Sequence, residues 1–102
     1  MKTGIELIAE ERQEQIEKHG YDRQFIEDHP EYYDGGEIQF VANMLLSVDY
    51  EEGIDSDIFP LGWEDDCERM IAKPKLQRLI IAGALIAAEI DRLQDLTQPK
   101  KP

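Results

Sequence analysis

Residues 79–93 read LIIAGALIAAEIDRL, and this stretch decides the fold. The ten residues from Leu79 to Ala88 carry no charge, and the charged residues Glu89, Asp91 and Arg92 follow directly. A membrane-spanning helix needs about 20 apolar residues. The sequence therefore predicts a buried helix of a folded domain at this place.

Small residues recur four positions apart in this helix, in the pairs Gly83/Ala87 and Ala84/Ala88. Small side chains at this spacing let two helix backbones approach closely, within one subunit or between copies. The apolar surface from Leu79 to Ala88 is larger than two short helices readily cover. We therefore expect a homo-oligomer.

Apolar residues at helical spacing predict two further helices earlier in the chain. The three main helices are expected at about 3–19, 36–50 and 75–96, separated by two long loops, with a helical turn over Asp65–Met70. No segment alternates as a strand does. We predict an all-α fold with a single domain over residues 1–97 and a flexible tail over 98–102, packed as a homo-oligomeric helical bundle.

Two capping patterns support these helices. Thr3 with Glu6, and Asp34 with Glu37, have the three-residue spacing of a capping box. The first pair is expected to open the first helix and the second pair the next one.

The net charge of −12 limits the partners. It argues against binding along a nucleic-acid backbone and against an anionic membrane surface. It leaves room for a small phosphorylated ligand in a locally basic pocket. The single cysteine, Cys67, predicts a reduced thiol, and no signal peptide is visible, so a cytoplasmic protein is expected.

Glu89 continues the helical stripe that contains Ala82 and Leu85, so it is expected at the edge of the core. A buried carboxylate needs a partner. One interpretation pairs it with Arg12, which interrupts the apolar stripe of the first helix. The other interpretation makes Glu89 a ligand of a divalent metal together with Glu37 or Glu11.

A cluster of cations opens the last helix. A helix start with lysine and arginine side chains suits a phosphate group, although such cations can also merely offset surrounding acids. Aromatic residues in the loops either cover the core or stack on a base. The residues predicted to bind the ligand are Arg12, Lys73, Lys75, Arg78, Tyr21 and Trp63.

AEERQEQIEKHGY at residues 9–21, Glu37, Trp63 and KPKLQRLIIAGALIAAEIDRL at residues 73–93 resemble a family of small bacteriophage and prophage proteins. The resemblance covers most of the chain and implies a phage origin, in the host cytoplasm, and a helical fold. It implies no particular activity.

The chain also resembles, more distantly, the MazG-like all-α nucleotide pyrophosphohydrolases, which hold magnesium with two acidic motifs. Glu11-x-x-Glu14 matches the first motif, and Glu52-x-x-Asp55 has the letters of the second but lies in a predicted loop. This resemblance implies a magnesium-dependent hydrolase. Its metal residues would be Glu11, Glu14, Glu37 and Glu89.

A third resemblance is to small helical phage oligomers that sequester nucleotide signals of host defence systems. These proteins need a phosphate pocket and aromatic stacking and no catalytic metal. We therefore predict a protein that binds a phosphorylated small molecule, of the nucleotide class, without turnover and without a cofactor, in a counter-defence role. The alternatives are the magnesium-dependent hydrolase and a protein–protein interaction module that docks through its apolar last helix.

Overall fold

The computed structural model describes residues 1–19, 28–48, 59, 60 and 62–97. All regular secondary structure in these residues is helical, which confirms the predicted all-α class. The helices are α1 (Gly4–His19), α2 (Pro30–Tyr33), α3 (Glu37–Ser47), α4 (Glu64–Ile71) and α5 (Lys75–Thr97).

The predicted number of three main helices is wrong. The helical turn expected over Asp65–Met70 is an eight-residue helix, α4, and the first long loop contains the single turn α2. Only Cys67 of α4 is fully buried, so this helix lacks the long apolar periodicity by which a helix is recognised in a sequence. Its first turn carries three acids, which the positive end of a helix favours.

The start of α1 confirms its predicted cap. The Thr3 backbone N–H donates to Glu6 Oε1 at 3.0 Å, and the Glu6 N–H donates to Thr3 Oγ1 at 3.2 Å. The backbone hydrogen bond from Thr3 is the main cause that lowers the pKa of the Glu6 carboxyl group, and a hydrogen bond with the Thr3 side chain adds to it. The two residues satisfy N–H groups that a helix start otherwise leaves open.

The predicted cap of α3 is wrong. Gly36 is the residue that precedes the helix, with φ of 84°, and no side chain caps it. Glycine adopts this left-handed backbone without the steric cost of a Cβ atom. Asp34 is thereby released from the helix end, and its carboxylate binds Arg92 instead.

The core lies between α3 and α5. It joins Ile38, Val41 and Leu45 of α3 to Ile81 and Leu85 of α5. Contacts at the two ends fix the direction of the pair. Asp34, just before α3, contacts Arg92 near the end of α5, and the carbonyl of Leu45 accepts a hydrogen bond from Arg78 near its start. The two helices are therefore antiparallel.

Helix α1 packs on another side of α5. A Cβ atom added to Gly83 would lie 2.6 Å from Ile8 Cδ1, closer than atoms can pack. The small residue at this position thus serves a contact within the subunit. It does not by itself mark an interface between copies.

A buried ion pair holds the far end of α5. Glu89 is only 7% exposed, and Arg92 Nε donates to Glu89 Oε1 at 2.5 Å. Arg92 Nη1 also donates to Asp34 Oδ1 at 3.1 Å. The hydrogen bond that Arg92 donates to Glu89 is the main cause that raises the pKa of Arg92, while burial acts against it.

The structure therefore gives Glu89 a different partner from the predicted Arg12. Arg92 lies three residues later on the same helix, so the pair forms without any alignment of distant segments. Arg12 lies instead on the wall of a pocket, described below. No described helix combines the length and the apolarity that a membrane crossing requires.

Replacing Arg92 tests the importance of this pair. Arg92→Met is expected to lower the free energy of unfolding by about 3–5 kcal/mol, because it leaves the Glu89 carboxylate buried without its cation. Urea unfolding of both proteins measures the difference.

The control is Lys18→Met, which removes an exposed i,i+4 pair with Glu14 and is expected to cost less than about 1 kcal/mol. An Arg92→Met protein as stable as this control would contradict the role of the pair.

Candidate functional site

A pocket of about 180 Å³ lies where α1, α4 and α5 meet. Helix α1 contributes Glu11, Arg12 and Gln15, and α5 closes the apolar floor with Ile81 and Leu85. The α4 side supplies Trp63, Asp66, Arg69, Met70 and Lys73. Tyr33 of α2 and Ile38 of α3 also line the cavity, so all five helices contribute to it.

The wall of this pocket is richer in cations than the chain as a whole. Among the described residues, the cations Arg12, Arg69 and Lys73 line it against the carboxylates of Glu11 and Asp66. The whole chain has only 11 lysine and arginine residues against 23 acids. The local balance therefore favours an anionic ligand even though the net charge is negative.

Arg69 and Lys73 are exposed at the solvent side of the pocket. Arg69 forms an ion pair with Asp66 across one helical turn. The Arg69 side chain remains 66% exposed, so this pair contributes little to stability and exchanging it for a ligand anion costs little. The Lys73 ammonium has no ion-pair partner within the described part of the chain, so it can meet a phosphate group directly.

Two aromatic rings form another part of the wall. Trp63 and Tyr33 meet edge to face, with ring centroids 6.0 Å apart and planes at 86°. Tyr33 is buried in the core, and Trp63 packs against that core while it stays partly exposed. The rings therefore cover the core, as one interpretation of the loop aromatics predicted, and also border the pocket, while stacking on a base stays a prediction.

Gln15 is the most buried polar residue of the pocket wall, with 8% of its surface exposed. Its side-chain amide has no hydrogen-bond partner among the described residues. The amide thus has hydrogen-bonding capacity left for whatever fills the pocket.

The pocket unites three of the residues that the sequence predicted as ligand-binding: Arg12, Lys73 and Trp63. Lys75 is exposed and does not line it. Arg78 is buried, and its Nε donates to the Lys73 carbonyl at 2.9 Å while its Nη1 reaches the Leu45 carbonyl at 3.4 Å. Tyr21 lies outside the described residues.

The acids predicted as metal ligands do not form one site: Glu37 and Glu89 both lie near Arg92, whereas Glu11 and Glu14 lie elsewhere, on α1. Glu11 lines the pocket, whereas Glu14 pairs with Lys18 at 3.1 Å and Glu89 pairs with Arg92. The Glu37 carboxylate folds back over Gly35. In residues 1–19, 28–48, 59–60 and 62–97, no three acidic, histidine or cysteine side chains are grouped to hold a metal ion. The motif at Glu52 and Asp55 lies outside these ranges.

Sequence reasoning missed Arg69 and Gln15, whereas Tyr33 was among the loop aromatics that it considered. A periodic signal for Arg69 was present, because Asp66, Arg69, Met70 and Lys73 follow the i, i+3, i+4, i+7 spacing of one helical face. Gln15 likewise falls three residues after Arg12. Arg69 was overlooked because the sequence predicted only a short helical turn in place of α4.

Cys67 lies on the opposite, buried side of α4. Burial is the main cause that raises the pKa of its thiol to about 11, and the nearby carboxylates of Asp66 and Glu64 add to the effect. A thiol with this pKa is a poor nucleophile at neutral pH. Cys67 is therefore a structural residue and takes no chemical part in the pocket.

No protein-family model, no curated protein and no solved structure matches this chain at a significant level. The phage origin and both functional resemblances therefore stay predictions. The functional argument rests on the geometry of the pocket.

Cys67 gives a direct test of how tightly α4 is held. At pH 8 only about a thousandth of the native thiol is ionised, since its pKa is about 11. Iodoacetamide is expected to label the native protein at least tenfold more slowly than the same protein in guanidinium chloride, as measured by mass spectrometry. Equal labelling rates would mean that α4 does not bury the thiol.

Proposed function

We propose that this chain binds a phosphorylated small molecule with an aromatic ring, of the nucleotide class, and sequesters it without turnover. The observation that carries the proposal is the meeting of an aromatic wall and three cations in one pocket, in a chain of net charge −12. A ring and a phosphate are the two parts of a nucleotide that such a wall recognises.

The size of the pocket suits a ring with its phosphates outside. An apolar cavity of about 150 Å³ is enough to hold one benzene ring, and this pocket has about 180 Å³. We place the base beside Trp63 and the phosphates at the exposed Arg69 and Lys73. A complete nucleotide is too large to be enclosed.

Sequestration is favoured over hydrolysis by the position of the acids. Of the predicted magnesium ligands, only Glu11 lines the pocket, and Glu89 is engaged by Arg92. The other carboxylate of the pocket wall, Asp66, is paired with Arg69. A magnesium-dependent reaction needs at least two oxygen ligands close to the bound phosphates. The counter-defence role that the resemblance to phage proteins implies would need binding alone.

The lysines 73 and 75 provide a matched test of the phosphate site. Both are exposed and neither has an ion-pair partner within the described chain, but only Lys73 lines the pocket. With ribonucleoside triphosphates as probes, Lys73→Ala is expected to weaken binding about tenfold, or about 1.4 kcal/mol, in calorimetry. Lys75→Ala is expected to bind within twofold of the wild type.

The same samples test turnover. Incubation with Mg²⁺ followed by anion-exchange chromatography is expected to return the nucleotides intact. Release of pyrophosphate would replace sequestration by the hydrolase. If no triphosphate binds or raises the melting temperature, the nucleotide proposal is wrong.

We also propose that two copies pair through an exposed apolar stripe on α5. The stripe consists of Leu79, Ile86, Ile90 and Leu93, each 43–51% exposed. At 100° per residue these side chains fall within an arc of about 60° on one side of the helix. Between Leu79 and Leu93 no charged residue falls within this arc, although a third of the chain is charged.

The spacing of this stripe makes a second copy its natural partner. When two α5 helices pair antiparallel about a two-fold axis, Ile86 meets Ile86 of the other copy and Leu79 meets Leu93. The stripe is therefore complementary to itself, as a two-fold symmetric interface requires. An acidic surface of this chain would instead repel the same surface of a second copy.

Ile86 is the position that tests this pairing. Ile86→Glu is expected to convert the dimer to a monomer in sedimentation equilibrium, because two carboxylates would face each other at the axis. Ile5→Glu is the control, since Ile5 is 83% exposed on α1 and lies off the stripe.

Mixing Ile86→Glu with Ile86→Lys is expected to restore a heterodimer, because opposite charges then meet. A wild-type chain that stays monomeric at 100 µM, well above about 1 µM for a typical weak dimer, would overturn the pairing.

A further inference from the structure

We propose that Gln15 determines which ring the pocket accepts: a heterocycle that presents a hydrogen-bond donor and an acceptor side by side. The inference deepens the proposed function and rests on it. Gln15 lines the pocket, is 8% exposed, and its amide has no hydrogen-bond partner within the described residues. The exposed cations recognise the phosphates, whereas Gln15 lies deeper and meets the base.

The amide is suited to this task by its chemistry. It offers an acceptor oxygen and two donor N–H groups in one plane. Glutamine and asparagine bind the edge of a base such as adenine through two parallel hydrogen bonds of this kind. A plain hydrocarbon ring would leave the amide unsatisfied and would bind less well.

The neighbours of Gln15 sharpen the assignment. Glu11 and Arg12 lie four and three residues earlier, one helical turn away, and both line the same pocket. A carboxylate only accepts hydrogen bonds and a guanidinium only donates them, so each is selective for one kind of group. Among the α1 side chains that line the pocket, Gln15 is the one that serves a donor and an acceptor together.

The chain also offers a matched control for the amide. Gln13 lies on the same helix and is exposed, and its Nε2 donates to Glu17 Oε1 at 2.9 Å, away from the pocket. Replacing either glutamine by methionine keeps the length of the side chain and removes the amide. Only the change at Gln15 alters the pocket.

The test compares a ring-bearing probe with a ring-free probe. Calorimetry measures the affinity of wild type, Gln15→Met and Gln13→Met for the four ribonucleoside triphosphates and for tripolyphosphate. Gln15→Met is expected to bind the preferred nucleotide at least tenfold more weakly and to lose the preference among bases. Its affinity for tripolyphosphate is expected to stay within twofold of the wild type, and Gln13→Met is expected to match the wild type for every probe.

A second measurement needs no variant. Wild-type protein is expected to bind an analogue of the preferred nucleotide that lacks the exocyclic donor at least tenfold more weakly. For Gln15→Met the same change in the ligand is expected to have less than a twofold effect. A merely structural role of Gln15 would lower both affinities and leave their ratio unchanged.

The outcomes separate the two proposals. If nucleotides bind and Gln15→Met keeps both the affinity and the base preference, the role of Gln15 is wrong and the nucleotide proposal stands. If wild type binds neither nucleotides nor tripolyphosphate, the nucleotide proposal fails and the inference fails with it. If Gln15→Met does not fold, the analogue measurement on the wild type decides, and equal affinity for both ligands overturns the inference.

Discussion

The close approach of α1 and α3 to α5 is the constraint on which the rest of the structure depends. It is made by alanines: Ala82 and Ala84 have no exposed surface, and Ala88 has 4%. Small side chains let helix backbones come near enough for dispersion contacts along their length. Because α5 is flanked on two sides in this way, α4 can pack across its first half, and the pocket forms at that junction.

The polar contacts of α5 then fix the register of α3. Arg92 joins Glu89 to Asp34 at one end, and Arg78 joins the carbonyls of Lys73 and Leu45 at the other. Apolar packing alone tolerates small shifts along a helix, whereas these hydrogen bonds demand one alignment. The arginines near the two ends of α5 thus have structural roles, which leaves Lys73, Arg69 and Arg12 as the cations of the pocket.

The sequence alone predicted the fold class and the first and last helices, because their apolar periodicity is long and Thr3 and Glu6 form a strong start signal. It failed where a pattern is short or a contact is distant. The helix α4 has one buried side chain, and Gly36 displaced Asp34 from the cap. The sequence predicted Arg12, Lys73 and Trp63 of the pocket, because cations and a loop tryptophan have recognisable chemistry. It did not predict Gln15, because this residue stands out only through its burial, and burial depends on the tertiary fold.

The two proposed interactions, ligand binding in the pocket and pairing of two copies, use different sides of α5. Ile81, Leu85 and Ala88 of the pocket floor and the stripe from Leu79 to Leu93 are centred about 140° apart around the helix. A dimer formed through the stripe therefore leaves both pockets open to solvent. Each subunit of the proposed dimer would then hold its own ligand, and pairing would change the ligand affinity only if it changed the packing of α5. Because the alanine contacts with α1 and α3 fix that packing within one subunit, we expect the two sites of a dimer to bind independently.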